Sequence, residues 1–580
     1  MHQQASRGSA FSSQRVACKT LVNCRLGAAQ LRSIAVLSTT PSVNAVVVTE
    51  VRPTSETQTS GSGAKDASSR HDASREDSRE LGTKYEPYVW TKHWYPLASV
   101  AELDETRPHA YTVLGKDLVV WRDGSNTWRA FQDTCPHRLA PLSEGRVEAD
   151  GSLLCAYHAW RFDGSGACTA IPQARDEQQE AVAKRATRAC VKAYPTCEAQ
   201  GVVWVWPDDN PSAPQDSAAE GPRLIEEVQD ERLAGRVTVK AWRSMEVPYG
   251  HDYFLENALD PSHVPVSHHG IAGNRYTDPV PIDLQPATPL SREDGFKYTS
   301  LSRKSIGNQV VEGGATISSH FLPPCLVRIT GEDKKGGKTI LALYSTPSRP
   351  GHSQIVVTQM VVADKEGKKG KGSAVFERGI LPTWVVHLLA PAFIHQDSVF
   401  LHWQEKIAAR GELAKKRAVD KYFMPTSADR MVLALHQWLE RFSPAGIPYY
   451  GAFEGAALPE VERDPQKLFD TWNTHTRRCK ICKTAHDNMV KGQPLAWVVA
   501  AVAAVQATIL TASSAATNAA ALAAAGMPAS AATTASAFSL PPPGALACLA
   551  VALLAVGVAL LMGKLVGLFH VFPFSHADNH

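Results

Sequence analysis

The sequence predicts an α+β chain in three parts: an all-β module, a larger body mixing long strands with helices, and a C-terminal pair of membrane-crossing helices. Three observations carry this expectation. Between Tyr85 and Trp206, short apolar runs alternate with turn residues. Between residues 338 and 442, β-rich runs give way to helical spacing. From Gly492 to Gly563, 72 residues pass without one Asp, Glu, Lys, Arg or His.

The two ends differ from the middle. Of 580 residues, 20% are charged, but residues 1–49 hold five charges, all basic (Arg7, Arg15, Lys19, Arg25, Arg32). An acid-free head rich in Ser, Ala, Val and Leu reads as an organelle transit peptide over 1–50. A Ser/Thr/Gly stretch over 51–83, with Ser60-Gly61-Ser62-Gly63, has too little apolar surface to fold and reads as a linker. The net charge of +3 excludes a dominating basic surface, hence no nucleic-acid partner. Eleven unevenly spaced cysteines exclude a disulfide scaffold.

The all-β module begins with Leu118-Val119-Val120-Trp121, then Asp123-Gly124, then Thr127-Trp128-Arg129-Ala130-Phe131, which predicts a hairpin. Gly201 to Trp206 reads as a later buried strand. Set among these are Cys135-Pro136-His137 and Cys155-Ala156-Tyr157-His158. Two short loops that each offer a thiolate and an imidazole suit two irons held unequally, the cysteines on one and the histidines on the other. Zinc is the competing reading, but its usual spacing sets cysteines together and histidines together.

The body carries a second cluster, Asn257-x-x-Asp260-x-x-His263-x-x-x-x-His268-His269. An i, i+5 pair diverges by about 140° on a regular helix, so the helix is expected to end or bulge, with Pro265 the expected cause. Two histidines and one distant carboxylate make a facial triad with open positions on Fe(II). Ile340 to Tyr344 and Ile355 to Thr358 read as strands. Met431, Leu435, Trp438, Leu439 and Phe442 read as one helix face, after a Thr426 or Ser427 cap.

In the tail, Leu495 to Ser513 and Gly544 to Gly563 are each near the ~20 residues that cross a hydrocarbon core. Basic residues before the first span (Arg477, Arg478, Lys480, Lys483, Lys491) and Lys564 after the second place both flanks on one side, with an Ala/Ser/Thr/Pro loop over 517–543 between the spans. Ahead of the hairpin, Cys479-x-x-Cys482 lies among four cations, a setting that favours thiolate and redox activity. A chance pair, or half a metal site, is the competing reading.

Cys135-Pro136-His137-Arg138-Leu139-Ala140-Pro141-Leu142-Ser143-Glu144-Gly145, with Cys155-Ala156-Tyr157-His158-Ala159-Trp160, resembles the Rieske domain of plant and algal oxygenases. Gly166-Ala167-Cys168 and Ile171-Pro172-Gln173 resemble the turn that covers the cluster. Ala159 departs from the usual Gly, a change expected to be tolerated unless the backbone needs positive φ. Together with the second cluster, Cys479-x-x-Cys482 and the hairpin, the chain resembles the chloroplast Rieske-type non-haem iron oxygenases of the pheophorbide a oxygenase-like branch.

That resemblance implies a Rieske [2Fe-2S] domain over 84–215, a helix-grip catalytic domain over 216–475, a thiol segment at 476–491, the transmembrane hairpin within 495–563 and a short tail at 564–580. It implies a [2Fe-2S] cluster on Cys135, His137, Cys155 and His158, and mononuclear Fe(II) on His263, His268 and Asp397. His269 and Glu405 remain the competing ligands, with His251 and His269 otherwise solvated or supporting. Asp397 is read as standing just ahead of a strand-like run. Asp260 and Asn257 are implied to support catalysis, Asp260 by linking a cluster histidine to an iron ligand of a neighbouring subunit in a homotrimer. The implied partners are ferredoxin, O2, a chlorophyll-derived tetrapyrrole, thioredoxin acting on Cys479 and Cys482, and a thylakoid or inner-envelope membrane with the soluble domains in the stroma. The rival functions are oxygenation of another tetrapyrrole such as protochlorophyllide, and a redox-sensing component of chloroplast import.

Overall fold

The computed structural model describes residues 85–306, 309–367 and 381–576; the readings of 1–83 as transit peptide and linker, and the last four residues of the tail, lie outside them. The predicted hairpin forms as strands Lys116–Arg122 and Trp128–Gln132, joined where Asp123 Oδ1 accepts from the backbone N–H groups of Ser125 and Thr127. It belongs to a four-stranded sheet that also includes His109–Val113 and Ala193–Tyr194. A second four-stranded sheet, of two- and three-residue strands between Arg146 and Ala170, completes the module. Val119, Trp121, Phe131, Leu142, Leu153 and Phe162 fill a core of its own, and Cys135 and Cys155 belong to it.

Tyr95–Ser99, Thr196–Ala199 and Val202–Val205 make a third, three-stranded sheet. Its Tyr95, Leu97 and Trp204 share a core with the body and with one face of the module's first sheet, through Leu118, Val120 and Trp128. The body is an eight-stranded antiparallel sheet. A meander of five strands dominates it: Phe296–Ile306, Gln309–Leu322, Leu326–Glu332, Lys338–Arg349 and His352–Val362. Alternating burial along Lys338–Arg349 puts Ile340, Ala342 and Tyr344 inside, as period-two patterning requires. Five helices matter for the site: α1 (His251–Leu259), α2 (Val264–Ser267), α3 (Thr383–Leu389), α4 (Pro391–Ala408) and α5 (Arg430–Phe442). The expected cap leads into α5, where Thr426 and Asp429 form a capping box. Met431, Leu435, Trp438 and Phe442 are buried, and Trp438 Nε1 donates to Ser291 O at 2.9 Å.

Two expectations need correction here. The run Ser398-Val399-Phe400-Leu401 is helical, inside α4, not a strand. The buried positions Asp397, Ser398, Leu401, His402, Glu405 and Ala408 repeat at helical spacing, so packing overrides the small helix penalty of Val and Phe. The presumed loop over 517–543 is largely helical. α6 (Lys480–Ala524) continues well past Ser513, and α7 (Ala529–Ala537) follows before α8 (Pro543–His570). Alanine, the strongest helix former, fills these segments. α6 and α8 are both long and apolar enough to cross a membrane. They pack as a hairpin, Gly492 against Met562 and Gly544 against Leu510, and Gln493 Nε2 donates to Ala559 O at 3.1 Å.

Candidate metal centres

The two loops of the Rieske-like module are built alike. Cys135 N–H donates to Ala140 O, and Leu139 N–H donates back to Cys135 O; Cys155 and Trp160, then Ala159 and Cys155, repeat both bonds. Each loop closes through a left-handed residue, Leu139 at φ 59° and Ala159 at φ 59°. Ala159 therefore occupies the conformation that favours Gly, and the expectation of an unstrained methyl is corrected: a non-Gly residue there costs about 1–2 kcal/mol. Both sulfurs are buried, whereas His137 is exposed and His158 is half-buried, with the imidazoles 4.5 Å apart by centroid. Burial pushes the Cys135 thiol up to about 12, with Cys155 adding to the rise, so a buried thiolate needs cationic metal beside it. Gln173 Nε2 donates to His158 O at 2.7 Å, which brings the predicted covering turn onto the loop, and buried Cys168 packs beneath it. Among the described residues, these four ligand atoms do not all lie within 4.8 Å of one another, as those of two other sets do, and a donor set spread over two irons has that form.

The second cluster joins His263 and His268 to Asp397, 134 and 129 residues further along the chain. α1 ends at Asp260, whose extended backbone (φ −94°, ψ 105°) precedes Pro261. Proline disfavours helical geometry in the residue before it, so Pro261 breaks the helix. Pro265 instead lies in the first turn of α2, where proline is tolerated. His263 and His268 are the two flanking residues of that single turn, and α4 supplies Asp397 opposite. His263, His268 and Asp397 present ligand atoms within 4.8 Å of one another. Asp397 Oδ2 lies 3.2 Å from His268 Nε2 and 3.7 Å from His263 Nε2.

The surroundings orient each group. His263 Nδ1–H donates to Asp260 O at 2.6 Å, and His268 Nδ1–H donates to Gln396 Oε1 at 2.9 Å. Ser267 Oγ donates to Asp397 Oδ1 at 2.8 Å, and Phe393 stacks on His268 at 3.6 Å. With both Nδ1 atoms engaged, both Nε2 lone pairs face one carboxylate oxygen. Buried His268 Nε2 has no hydrogen-bond partner, which fits a metal ligand. Burial lowers the His263 pKa, but the side chains of Asp260 and Asp397 outweigh it and hold the imidazole above its ordinary value. Burial raises the Asp260 carboxyl, but His263 and Ser262 outweigh it and hold it low. Asn257 Nδ2 lies 3.3 Å from His263 Nε2.

The competitors lie elsewhere. Glu405 pairs with Lys406 at 2.7 Å and accepts from Gly250 N–H. His269 Nδ1 accepts from Arg275 N–H. His251 is fully buried against Trp90 and Ser345, so it is a core residue rather than a solvated one. Sequence reasoning missed Gln396 and Ser267, although each is adjacent to a proposed ligand. A cavity of about 960 Å³ opens on the triad, lined by groups such as Phe254, Ile282, Leu343, Ile355, Val357 and Phe393. Cys479 and Cys482 are also buried, 2% and 1% exposed, beside His387 and His475. An attacking thioredoxin thiol needs an accessible sulfur, which neither offers.

Residues 93–195 match the model of the Rieske [2Fe-2S] domain, and residues 321–414 match that of pheophorbide a oxygenase. The chain is 33% identical over 418 residues to pheophorbide a oxygenase, chloroplastic, of Oryza sativa subsp. japonica, an alignment spanning 69% of this chain and 74% of the rice protein. The chain belongs to the pheophorbide a oxygenase family. It is equally 33% identical to flavonoid 8-hydroxylase 2, chloroplastic, of Ocimum basilicum, over 69% of this chain and 75% of that one. It is 30% identical to protochlorophyllide-dependent translocon component 52, chloroplastic, of Arabidopsis thaliana, over 69% and 74%. Membership makes it a Rieske oxygenase, an oxidoreductase that uses a [2Fe-2S] cluster and mononuclear iron. Chloroplastic relatives and the two apolar helices make it a chloroplast membrane protein.

Proposed function

We propose that the chain oxygenates a chlorophyll-derived macrocycle at an iron held by His263, His268 and Asp397, with the [2Fe-2S] cluster on Cys135, His137, Cys155 and His158 supplying electrons from reduced ferredoxin. The observation that carries the substrate reading is the cavity: about 960 Å³ is at the upper end of small-molecule pockets, and its size and apolar lining suit a large flat pigment better than a smaller flavonoid. The iron supplies O2 activation when bound, and the cluster supplies reducing equivalents. The chain's own residues set the geometry. Asp260 and Gln396 keep the ligand imidazoles protonated on Nδ1, and Ser267 fixes the Asp397 carboxylate. Phe254 and Phe393 add apolar surface to the cavity, and Phe393 shields His268 by stacking on it.

Asp260, half-buried beside His263, is proposed to bridge to a cluster imidazole of a neighbouring subunit in a homotrimer. The soluble domains face the stroma, and the hairpin keeps the enzyme where apolar pigment partitions. The test is competition in one vessel: purified protein, ferredoxin and its reductase, O2, pheophorbide, protochlorophyllide and a flavone. Preferential loss of pheophorbide supports the reading; preferential loss of protochlorophyllide or of the flavone overturns it.

A further inference from the structure

Outside the two iron sites, four ligand-type side chains converge on one point. His387 comes from α3, His475 from a wide turn at Trp472–Thr476, and Cys479 and Cys482 from the start of α6. All four are buried, and one ligand atom from each lies within 4.8 Å of the others. Cys482 Sγ is 3.3 Å from His475 Nε2 and 3.5 Å from His387 Nδ1; Cys479 Sγ is 3.7 Å from His387 Nδ1. A tetrahedron with zinc–sulfur bonds near 2.3 Å and zinc–nitrogen bonds near 2.05 Å has a sulfur–nitrogen edge of about 3.6 Å. The three measured edges bracket that value.

The outer contacts have the form that metal-bound histidines use. His475 Nδ1–H donates to Ser244 O at 2.6 Å, which leaves the Nε2 lone pair aimed at the sulfurs. His387 turns Nδ1 to the sulfurs and Nε2 toward Glu102 Oε1, 3.8 Å away. Glu102 is itself fixed by Ser244 N–H and Oγ. The His475 bond is the usual support for a metal-bound imidazole, and the Glu102 carboxylate stands behind His387 just beyond hydrogen-bond reach. The four groups surround one point, whereas a Rieske-type cluster would part its sulfurs from its nitrogens across two irons. Both cysteines are free thiols.

We propose that His387, His475, Cys479 and Cys482 bind one zinc ion in a closed, structural, tetrahedral site that fastens the membrane hairpin to the catalytic body. Four protein ligands leave no open position, which separates this site from the iron triad. The fastening follows from what the ligands belong to. Cys479 and Cys482 begin the first membrane helix, and Phe569, near the end of α8, packs against them with Leu388. Thr476 Oγ1 donates to Phe569 O at 2.8 Å. On the other side, α3 lines the catalytic cavity through Val386 and leads directly into α4, which carries Asp397. Zinc therefore ties the hairpin to a wall of the cavity, and it converts the two buried thiols into neutralised thiolates.

The test is metal analysis of the full-length protein, purified anaerobically in detergent from zinc-supplied cells. One zinc per chain is expected alongside the iron. His475→Ala should reduce zinc to less than a tenth of that, while His475→Cys, which still offers four zinc-compatible donors, should retain it. Both variants should keep the Rieske absorption spectrum. Growth in cobalt should give sulfur-to-metal charge-transfer bands that are absent from His475→Ala. Wild-type protein with no zinc, with iron at this site instead, or with a disulfide between Cys479 and Cys482 overturns the proposal. So does His475→Ala that retains full zinc. Wild-type protein without zinc overturns the proposal whatever the variants do, so poor folding of a variant does not protect it.

Discussion

Ala159 offers a quantitative test of how the cluster loops are held. Its φ of 59° is a conformation that costs an L-residue about 1–2 kcal/mol and glycine almost nothing. Ala159→Gly removes that cost but frees the unfolded chain, which takes back about 0.4–1 kcal/mol. Taking the middle of each range, the balance is a gain of about 0.8 kcal/mol, provided the loop hydrogen bonds from Cys155 N–H to Trp160 O and from Ala159 N–H to Cys155 O persist. In a unit the size of the Rieske module, that raises the midpoint of thermal cluster loss by roughly 2–8 °C. The assay is a temperature ramp followed by visible absorption of the cluster. Ala159→Val should shift it the other way, since a β-branched residue is poorly tolerated at positive φ. A midpoint that falls or stays unchanged in Ala159→Gly refutes the assignment of strain to this residue.

Further outcomes follow from the iron site and its neighbours. Asp397→Asn should abolish oxygenation while the Rieske spectrum is unchanged, read by O2 uptake and visible absorption on the same sample. Gln396→Leu removes the acceptor for His268 Nδ1–H and should cost 10- to 100-fold in iron affinity or turnover, about the usual loss for an outer-shell partner; iron titration checks it. Asp260→Asn should slow turnover with both metal sites filled, because it changes a bridge rather than a ligand. Asp252 is pushed up to about 7 by burial and then by the charges of Glu405 and Glu256. The folded state thus holds this proton more tightly than the unfolded chain, whose value is near 3.9. Its contribution opposes folding increasingly as pH climbs from about 4 to about 7, then levels off. Asp252→Asn should melt higher than wild type at pH 8 and show little difference at pH 4.

What the sequence disclosed depended on how local each feature was. Cys135, His137, Cys155 and His158 sit in two short loops with the same backbone bonds, so spacing alone exposes them. Asp397 was reachable only through family resemblance, and its segment reads as a strand because Val399 and Phe400 favour one. The spacing of Asp397, Leu401 and Glu405 argued for a helix, and packing on α1 decides it. The sequence argued for a break between His263 and His268 at Pro265; the helix breaks earlier, at Asp260, because Pro261 acts on the residue before it, while Pro265 fits an opening turn. Cys479-x-x-Cys482 was visible as half a site. His475, four residues upstream of Cys479, was also in view, but His387 lies 92 residues away in an apolar run where only the fold brings it near. The hairpin's position was legible from its lack of charge, but its connecting segment was not, because alanine-rich helix and polar loop share small residues.

On the proposed function, this chain puts an atom of O2 into a chlorophyll-derived macrocycle at the triad. The most direct measurement is turnover of pheophorbide with reduced ferredoxin under 18O2, with products weighed by mass spectrometry. Wild type should yield macrocycle carrying 18O from O2, and Asp397→Asn should yield none. Unlabelled macrocycle from wild type, or label that persists in Asp397→Asn, contradicts the account.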